Sequence, residues 1–402
     1  MMHLNNVGSK FIFFLLNPFL SAVYSLKNIR DGISHRFLYL WFIMFGIGFC
    51  ANVRAFDSFR YVEKFYTESR YSFDEYIRII QEYFCFESDI KDIYTISVNF
   101  LVGIFTTTNY HWTYFIYALV FGVFYIKSLQ ILLRYNIGNK VVLYALLFML
   151  CFSNPIFNIN GVRFWTAAWI GCYVLLNVVF VGKKKSLALL LLLPLIHASM
   201  IIWIAITCCC LLFCRFRKVS IVLFVVSSFV SAASFVGVLE NYSDILPPFL
   251  QNLVYSYTQS STALDRMNGH SEYGALYADI LNALPKYFHL LLGYLLVFNQ
   301  KSVNRNNSGQ LLTIYLLIAA VTNFLSGIPS VGRFQYMTIP FLAILWAKNY
   351  CVLTKYNRLF YLVPLLYAYN ILYWCRYMSG VTELGLYLYP APVTIIRFLF
   401  LV

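Results

Sequence analysis

Apolar residues along this 402-residue chain fall in long runs separated by short polar connections, near 11–26, 37–53, 112–133, 141–158, 163–181, 219–239, 286–299, 310–328, 334–347 and 358–374. Each run approaches the roughly 20 residues a helix needs to cross about 30 Å of hydrocarbon, so each predicts one crossing. No stretch alternates with the period of a barrel strand, and backbone groups in lipid must be satisfied internally. The expected fold class is therefore all-α: a polytopic transmembrane bundle of about 10–13 helices, forming a single membrane domain over 1–402. The first run is interrupted by Pro18 and lacks a small-residue cleavage pattern, so it is expected to be the first membrane helix and not a cleaved signal. The final stretch from Pro392 is too short to cross.

Two runs depart from the simple pattern. Residues 186–214 are long enough for more than one crossing but are broken at Pro194 and His197, with Lys183, Lys184 and Lys185 before them and Arg215, Arg217 and Lys218 after them. Basic residues at both ends place both ends on one side, so a re-entrant or broken hairpin is expected there. The moderately apolar run 93–105 is expected to lie at the interface or re-enter, because a full crossing there would upset the charge alternation that follows.

The charges give the orientation. The connections 27–36, 134–140, 182–185, 215–218, 301–305 and 348–358 hold sixteen Lys or Arg and one acid, Asp31, and are expected to face the cytoplasm. Fifteen of the sixteen acids fall in 54–92, 240–285 and 376–390, which belong outside; 54–110 and 240–285 are the larger outer segments. The net charge of +14 is thus distributed as topology signals, and nucleic acid is not an expected partner. Charged residues make up 11% of the chain and hydrophobic residues 61%, which excludes an ordinary soluble domain.

Ten cysteines bring no disulfide framework, since only Cys85 lies in a polar loop. Cys210 and Cys214 share a helix face, but thiols without charged or His neighbours behave as small hydrophobes, and no metal site is expected. Walker-type glycine loops, HExxH and GxSxG are absent. Asp74 and Glu75 are adjacent acids that a metal-dependent transfer could use, although a solvated, acid-rich surface helix accounts for them.

Four stretches carry candidate chemistry, all at or near the outer face. In CANVRAFDSFRYVEKFY, a continuing helix puts Asp57 and Tyr61 four apart on one face with Arg54 before them; pairing of Arg54 with Asp57 at a solvated helix end is the plainer reading. In NINGVRFWTAAW, Arg163 stands in the first turn of a helix, where free N–H groups and the dipole favour an anion and a guanidinium adds bidentate phosphate recognition; a snorkelling anchor is the alternative. In PLIHASM, His197 follows a proline break, and non-helical backbone at membrane depth is tolerated mainly beside a cavity. In SGIPSVGRFQYMTIP, Gly327, Pro329 and Gly332 form a turn before Arg333, which is expected at another helix start and repeats the Arg163 design.

The order SAVYSLK, ANVRAFDSFRY, NINGVRFWTAAW, the KKK turn, LIHASM and GRFQYMTIP resembles the EpsG-like family, which is similar to the Wzy-type polymerases of O-antigen, capsule and exopolysaccharide synthesis. The resemblance spans about residues 17–350. It implies a multi-pass protein of the bacterial inner membrane that transfers undecaprenyl-diphosphate-linked oligosaccharide repeats en bloc, with that lipid-linked glycan as donor and acceptor. Membrane lipids and a chain-length regulator are further partners it implies. The matching positions are Arg54, Asp57, Arg163, His197 and Arg333. The chain departs from the family pattern in having Phe164 after Arg163 and Ile196 before His197.

Such a transfer needs a stabilised leaving diphosphate and a deprotonated acceptor hydroxyl, held in line. Arg163 and Arg333 are the expected diphosphate ligands, Arg54 and Tyr61 further substrate contacts, and His197 or Asp57 the base. No cofactor is expected, because two guanidiniums can neutralise the diphosphate. A polyprenyl-phosphate-sugar-dependent glycosyltransferase and a lipid-linked glycan flippase remain the alternatives.

Overall fold

The computed structural model describes residues 2–51, 57–85, 87, 90, 92–230, 251, 276–327 and 331–400. Every regular element among them is helical, with one isolated bridge between Phe49 and Thr382. The expected outer segment 240–285 lies largely outside the described residues, as do Arg54 and Pro329. Among the described residues, three stretches are long and apolar enough to cross a membrane: His111–Leu133, Lys140–Val181 and Ile280–Phe298. Shorter apolar helices of 10–17 residues accompany them.

The chain divides into two compact units. The first comprises residues 1–133, 154–201 and 373–402. It opens with α1 (Met2–Leu16) and α2 (Pro18–Lys27), so the run expected to be one helix is two. The reason is local: the Asn17 side chain accepts from the Leu20 N–H and Pro18 takes the first helical position, which together start a new helix. Next come α3 (Gly32–Ile47), α4 (Asp57–Glu68), α5 (Phe73–Phe84), α6 (Tyr94–Gly103) and α7 (His111–Leu133). At its ten residues, α6 spans about 15 Å, half the hydrocarbon thickness. Asp74 and Glu75 lie in the first turn of α5, where Glu75 and Ser72 form a reciprocal capping box.

The core of this unit lies where α3 and α7 cross. Gly46 makes that approach possible, since a methyl there would run into Ala118 Cβ and the Tyr114 carbonyl. Phe45, Phe49, Tyr117, Ala118 and Phe121 are fully enclosed around the crossing. Helix α9 (Val162–Leu176) also packs on α7, with Trp169 against Tyr125 at 4.7 Å between ring centres.

The second unit comprises residues 134–153 and 202–372. Its α8 (Lys140–Ser153) precedes in sequence α9 (Val162–Leu176) of the first unit, which continues as a π-helical turn, Asn177–Val181. Gly182 closes that turn at φ 80°, a left-handed conformation only glycine adopts without strain, and the three lysines follow it. The broken segment expected over 186–214 is present. It runs as a 3-10 stretch (Lys184–Leu192), a short α10 (Leu193–Ile196), an extended His197, and α11 (Ile201–Phe213).

The second unit continues with α12 (Arg217–Phe229), α13 (Leu276–Phe298), α14 (Gln300–Arg305), α15 (Gly309–Phe324) and α16 (Ile339–Lys348). Its centre is apolar side chains of α15 and α16, among them Leu312, Leu316, Ile344 and Trp346, with Phe224 of α12. The Trp346 indole donates to Asn357 Oδ1 at 3.0 Å, which satisfies its one polar atom. The apolar run 358–374, expected to be one helix, is instead a 3-10 stretch (Thr354–Leu362), α17 (Val363–Leu366) and α18 (Ala368–Val381), because Pro364 sits at the start of α17 and resets the helix. Short helices α19 (Gly385–Leu388) and α20 (Ala391–Ile395) end the first unit.

Candidate active site

Arg163 is the second residue of α9, and the sequence before it explains its setting. Pro155 ends the preceding helix, and Ile156–Gly161 form a 3-10 turn that leads into α9. That turn also builds its neighbour, because Asn160 Oδ1 accepts from the Ser58 N–H at 3.1 Å and so caps the start of α4. Asn158 donates to Asn154, and Asn154 in turn donates to the Trp165 carbonyl. The asparagine-rich stretch thus ties α4 to α9 and sets Tyr61 opposite Arg163.

The guanidinium is held on two sides. Nη1 donates to Asp92 Oδ2 at 2.8 Å, and Nε donates to the Tyr61 hydroxyl at 3.1 Å, with the guanidinium carbon 5.3 Å from the Tyr61 ring centre. Asp92 is almost fully enclosed, with 2% of its side chain exposed, whereas 31% of the Arg163 side chain remains accessible. The fork is therefore oriented by the protein and open on its remaining side. This is neither a snorkelling anchor, which would reach into the headgroups, nor an isolated charge.

Asp92 is the residue of this cluster that sequence reasoning misses. Burial pushes its carboxyl up from 3.8 to about 6, even though Arg163 pulls in the opposite direction. Its Oδ1 is buried with no hydrogen-bond partner among the described residues. A second buried acid, Glu68 of α4, accepts from Asn99 Nδ2 at 2.7 Å, and Thr113 donates to Asn99 Oδ1. Burial raises the Glu68 carboxyl as well. The ordinary phenol range of Tyr61 is raised for the same reason, partly offset by Arg163.

His197 lies in the same unit. Its Nδ1 is 2.8 Å from the Ser199 hydroxyl, and its ring meets the edge of Phe164, the residue after Arg163, at 5.4 Å between centres. The backbone ties the break to the acid as well, since the Ile93 N–H donates to the Leu195 carbonyl at 3.0 Å. The helix break at Pro194 and the Asp92 turn are thus neighbours beside the start of α9.

Asp57 opens α4 and pairs with Arg60, one helical turn on, and its charge also acts on Tyr61 and Arg163. Tyr61, four residues on and so on the same side of α4, turns inward to Arg163. Arg333 is not at the start of an α-helix: it lies inside the 3-10 segment Val331–Thr338, and α16 begins only at Ile339. It belongs to the second unit, where its neighbour Phe334 stacks on Trp203. Arg163 and Tyr61 are brought into contact and His197 comes alongside.

Among the described residues, no three His, Cys, Asp or Glu side chains group to hold a metal. The site combines an oriented, half-open guanidinium with a helix start, and both suit an anionic ligand. The model of the EpsG family matches residues 33–390, most of the chain. The chain belongs to the EpsG family. No curated protein and no solved structure matches it. EpsG membership and the apolar helices make this a membrane protein of polysaccharide biosynthesis.

Proposed function

We propose that this EpsG-family chain polymerises oligosaccharide repeats carried on polyprenyl diphosphate, en bloc, at the outer face of a bacterial inner membrane, for O-antigen, capsule or exopolysaccharide. The observation that supports the reading best is the half-open guanidinium of Arg163, fixed by Asp92 and Tyr61 at the first turn of a 15-residue helix. Such a fork is suited to the diphosphate of a lipid-linked glycan.

In this reading Arg163 carries the charge of the diphosphate, and Tyr61 and Arg54 contact the substrate. The acceptor hydroxyl oxygen attacks the anomeric carbon of the growing chain. The bond from that carbon to the diphosphate oxygen breaks, its electron pair leaves with the lipid diphosphate, and the hydroxyl proton passes to His197 or Asp57. Protein dipoles already aimed at the leaving charge lower the barrier without reorganising.

The test is complementation of a deletion strain, with protein levels in membranes checked by immunoblot. Arg163→Ala is expected to abolish polymer and leave single lipid-linked repeats, whereas Arg78→Ala on the exposed face of α5 retains polymer. Polymer of unchanged amount and length from Arg163→Ala at normal abundance overturns the assignment. The buried Asp92 beside Arg163 favours one second reading, a single-sugar transferase that depends on an outer carboxylate. Incomplete repeats in the deletion strain, in place of complete single repeats, select that reading.

A further inference from the structure

The second unit contains a cavity that the transfer reaction does not use. It measures about 440 Å³ and lies between the first turns of α12 and α15 and the end of α14, lined by Arg215, Arg217, Asn304, Gly309, Gln310 and Thr313. Volumes of roughly 300–1,000 Å³ are those of small-ligand sites. Its connections, 215–218 and 301–305, are the basic ones that the positive-inside rule assigns to the cytoplasmic side.

The lining holds two guanidiniums, two carboxamides and a hydroxyl, with no acid. Topology alone is served by the exposed Lys218, Lys301 and Arg305 and does not require a half-buried cation. Arg217 is also in an electrostatically adverse place: it is the first residue of α12, where the helix dipole is positive. Its Nη1 comes within 3.3 Å of the position a Gly309 Cβ would take, at the first turn of α15, a second positive helix end. The N-cap residue of α15, Ser308, supplies no side-chain bond to that turn. Gly309 permits the closure, because a methyl there would run into Asn304 Oδ1. The opposite wall is fixed by Gln310, which donates to Cys214 Sγ at 2.9 Å, and by Thr313, which donates to the Gly309 carbonyl at 3.0 Å. Two guanidiniums and two helix starts converge on one hollow with nothing negative in its lining.

We propose that this cavity binds a phosphate-bearing anion, either the headgroup of an anionic phospholipid of the inner leaflet or a soluble phosphate compound. The two sources share the chemistry that the arginines and the helix starts recognise, and the proposal holds whatever reaction the outer site performs.

The experiment uses the full-length protein with three probes. Native mass spectrometry of the protein from nanodiscs measures retention of dioleoyl phosphatidylglycerol against dioleoyl phosphatidylcholine, and calorimetry in neutral detergent measures binding of inorganic pyrophosphate. The wild type is expected to prefer phosphatidylglycerol over phosphatidylcholine or to bind pyrophosphate, and the probe that binds identifies the source. The Arg215→Gln, Arg217→Gln double variant is expected to bind that probe about tenfold more weakly, and Lys301→Gln to bind it as the wild type does. Gly309→Ala keeps every charge, displaces Asn304, and is expected to weaken binding too; it decides the matter if the double variant does not fold. Neither probe bound above the phosphatidylcholine control, or binding unchanged in the variants, overturns the proposal.

Discussion

The Arg163–Asp92 pair makes a prediction whose sign runs against the intuition that removing an ion pair destabilises. The perturbation is Asp92→Asn, which keeps the shape and one acceptor oxygen but removes the charge. In the folded protein the Asp92 carboxyl is pushed up from 3.8 to about 6, with burial outweighing the attraction of Arg163. Between those two pH values the folded state binds a proton that the unfolded state has released, so the contribution of this site to stability falls as pH rises. It is fully present below about pH 4 and lost above about pH 6, and the difference amounts to about 3 kcal/mol. Asp92→Asn is therefore expected to be more stable than the wild type at pH 7.5, by up to about 3 kcal/mol, with the gap narrowing to about 1 kcal/mol near pH 4.5.

The reciprocal variant, Arg163→Ala, strands the carboxylate. It is expected to lose about 3 kcal/mol or more at pH 7.5 and to regain much of it at pH 5, where Asp92 takes up a proton. Apparent Tm from fluorescence-detected size-exclusion, at fixed heating time and between pH 4.5 and 8, checks both, with the comparison made between variants because the unfolding of such proteins is commonly irreversible. Superimposable pH profiles for wild type and Asp92→Asn, or an Asn variant less stable than wild type at pH 7.5, would refute the reasoning. A stable Asp92→Asn that makes little polymer is the further expectation, since the acid then serves the site at the expense of the fold.

Asn160→Ala removes the cap on α4 and is expected to cost about 1 kcal/mol, with a partial loss of polymer as Tyr61 loosens; thermal stability and complementation read the two effects. Tyr61→Phe keeps the ring against Arg163 but removes the hydroxyl that Nε uses, and is expected to reduce polymer without abolishing it. His197→Ala is expected to abolish polymer at normal membrane abundance if His197 is the base, whereas Asp57→Asn does so if Asp57 is, and the two variants compared in one strain identify the group. Gly46→Val forces α3 from α7 and is expected to cost about 1–3 kcal/mol, seen as lost monodisperse protein.

Most of the helical framework is legible in the sequence, since long apolar runs leave few alternatives: α7, α8, α9 and α15 start within a few residues of where the hydropathy pattern puts them. The two runs misread as single helices fail at Pro18 and Pro364, where side-chain apolarity continues but the backbone restarts. The signal was present as an Asn-Pro pair in the first case, and hydropathy does not register it. Arg333 was misplaced for a related reason. Glycines and a proline before it read as a turn into an α-helix, but a 3-10 segment satisfies the same turn chemistry and defers the α-helix by eight residues.

The candidate site divides along a different line. Arg163 and His197 stand out because a cation and an imidazole in apolar runs are costly and few. Asp92 does not stand out, because seven other acids lie between it and Asp57 and the whole stretch reads as solvated surface. What separates it is tertiary: the Ile93 N–H is bonded to the Leu195 carbonyl, which draws the preceding carboxylate off the surface and under Arg163. One local trace remains in the sequence, for Asp92 is the acid that directly abuts the apolar run 93–105. An acid at such a junction has no polar neighbour on one side, so if the run packs inward the acid must follow it and find a cation. By that argument the partner of Arg163 could be sought at the edge of the apolar run and not in the middle of the acid-rich helices, where Asp57 and Asp74 lie.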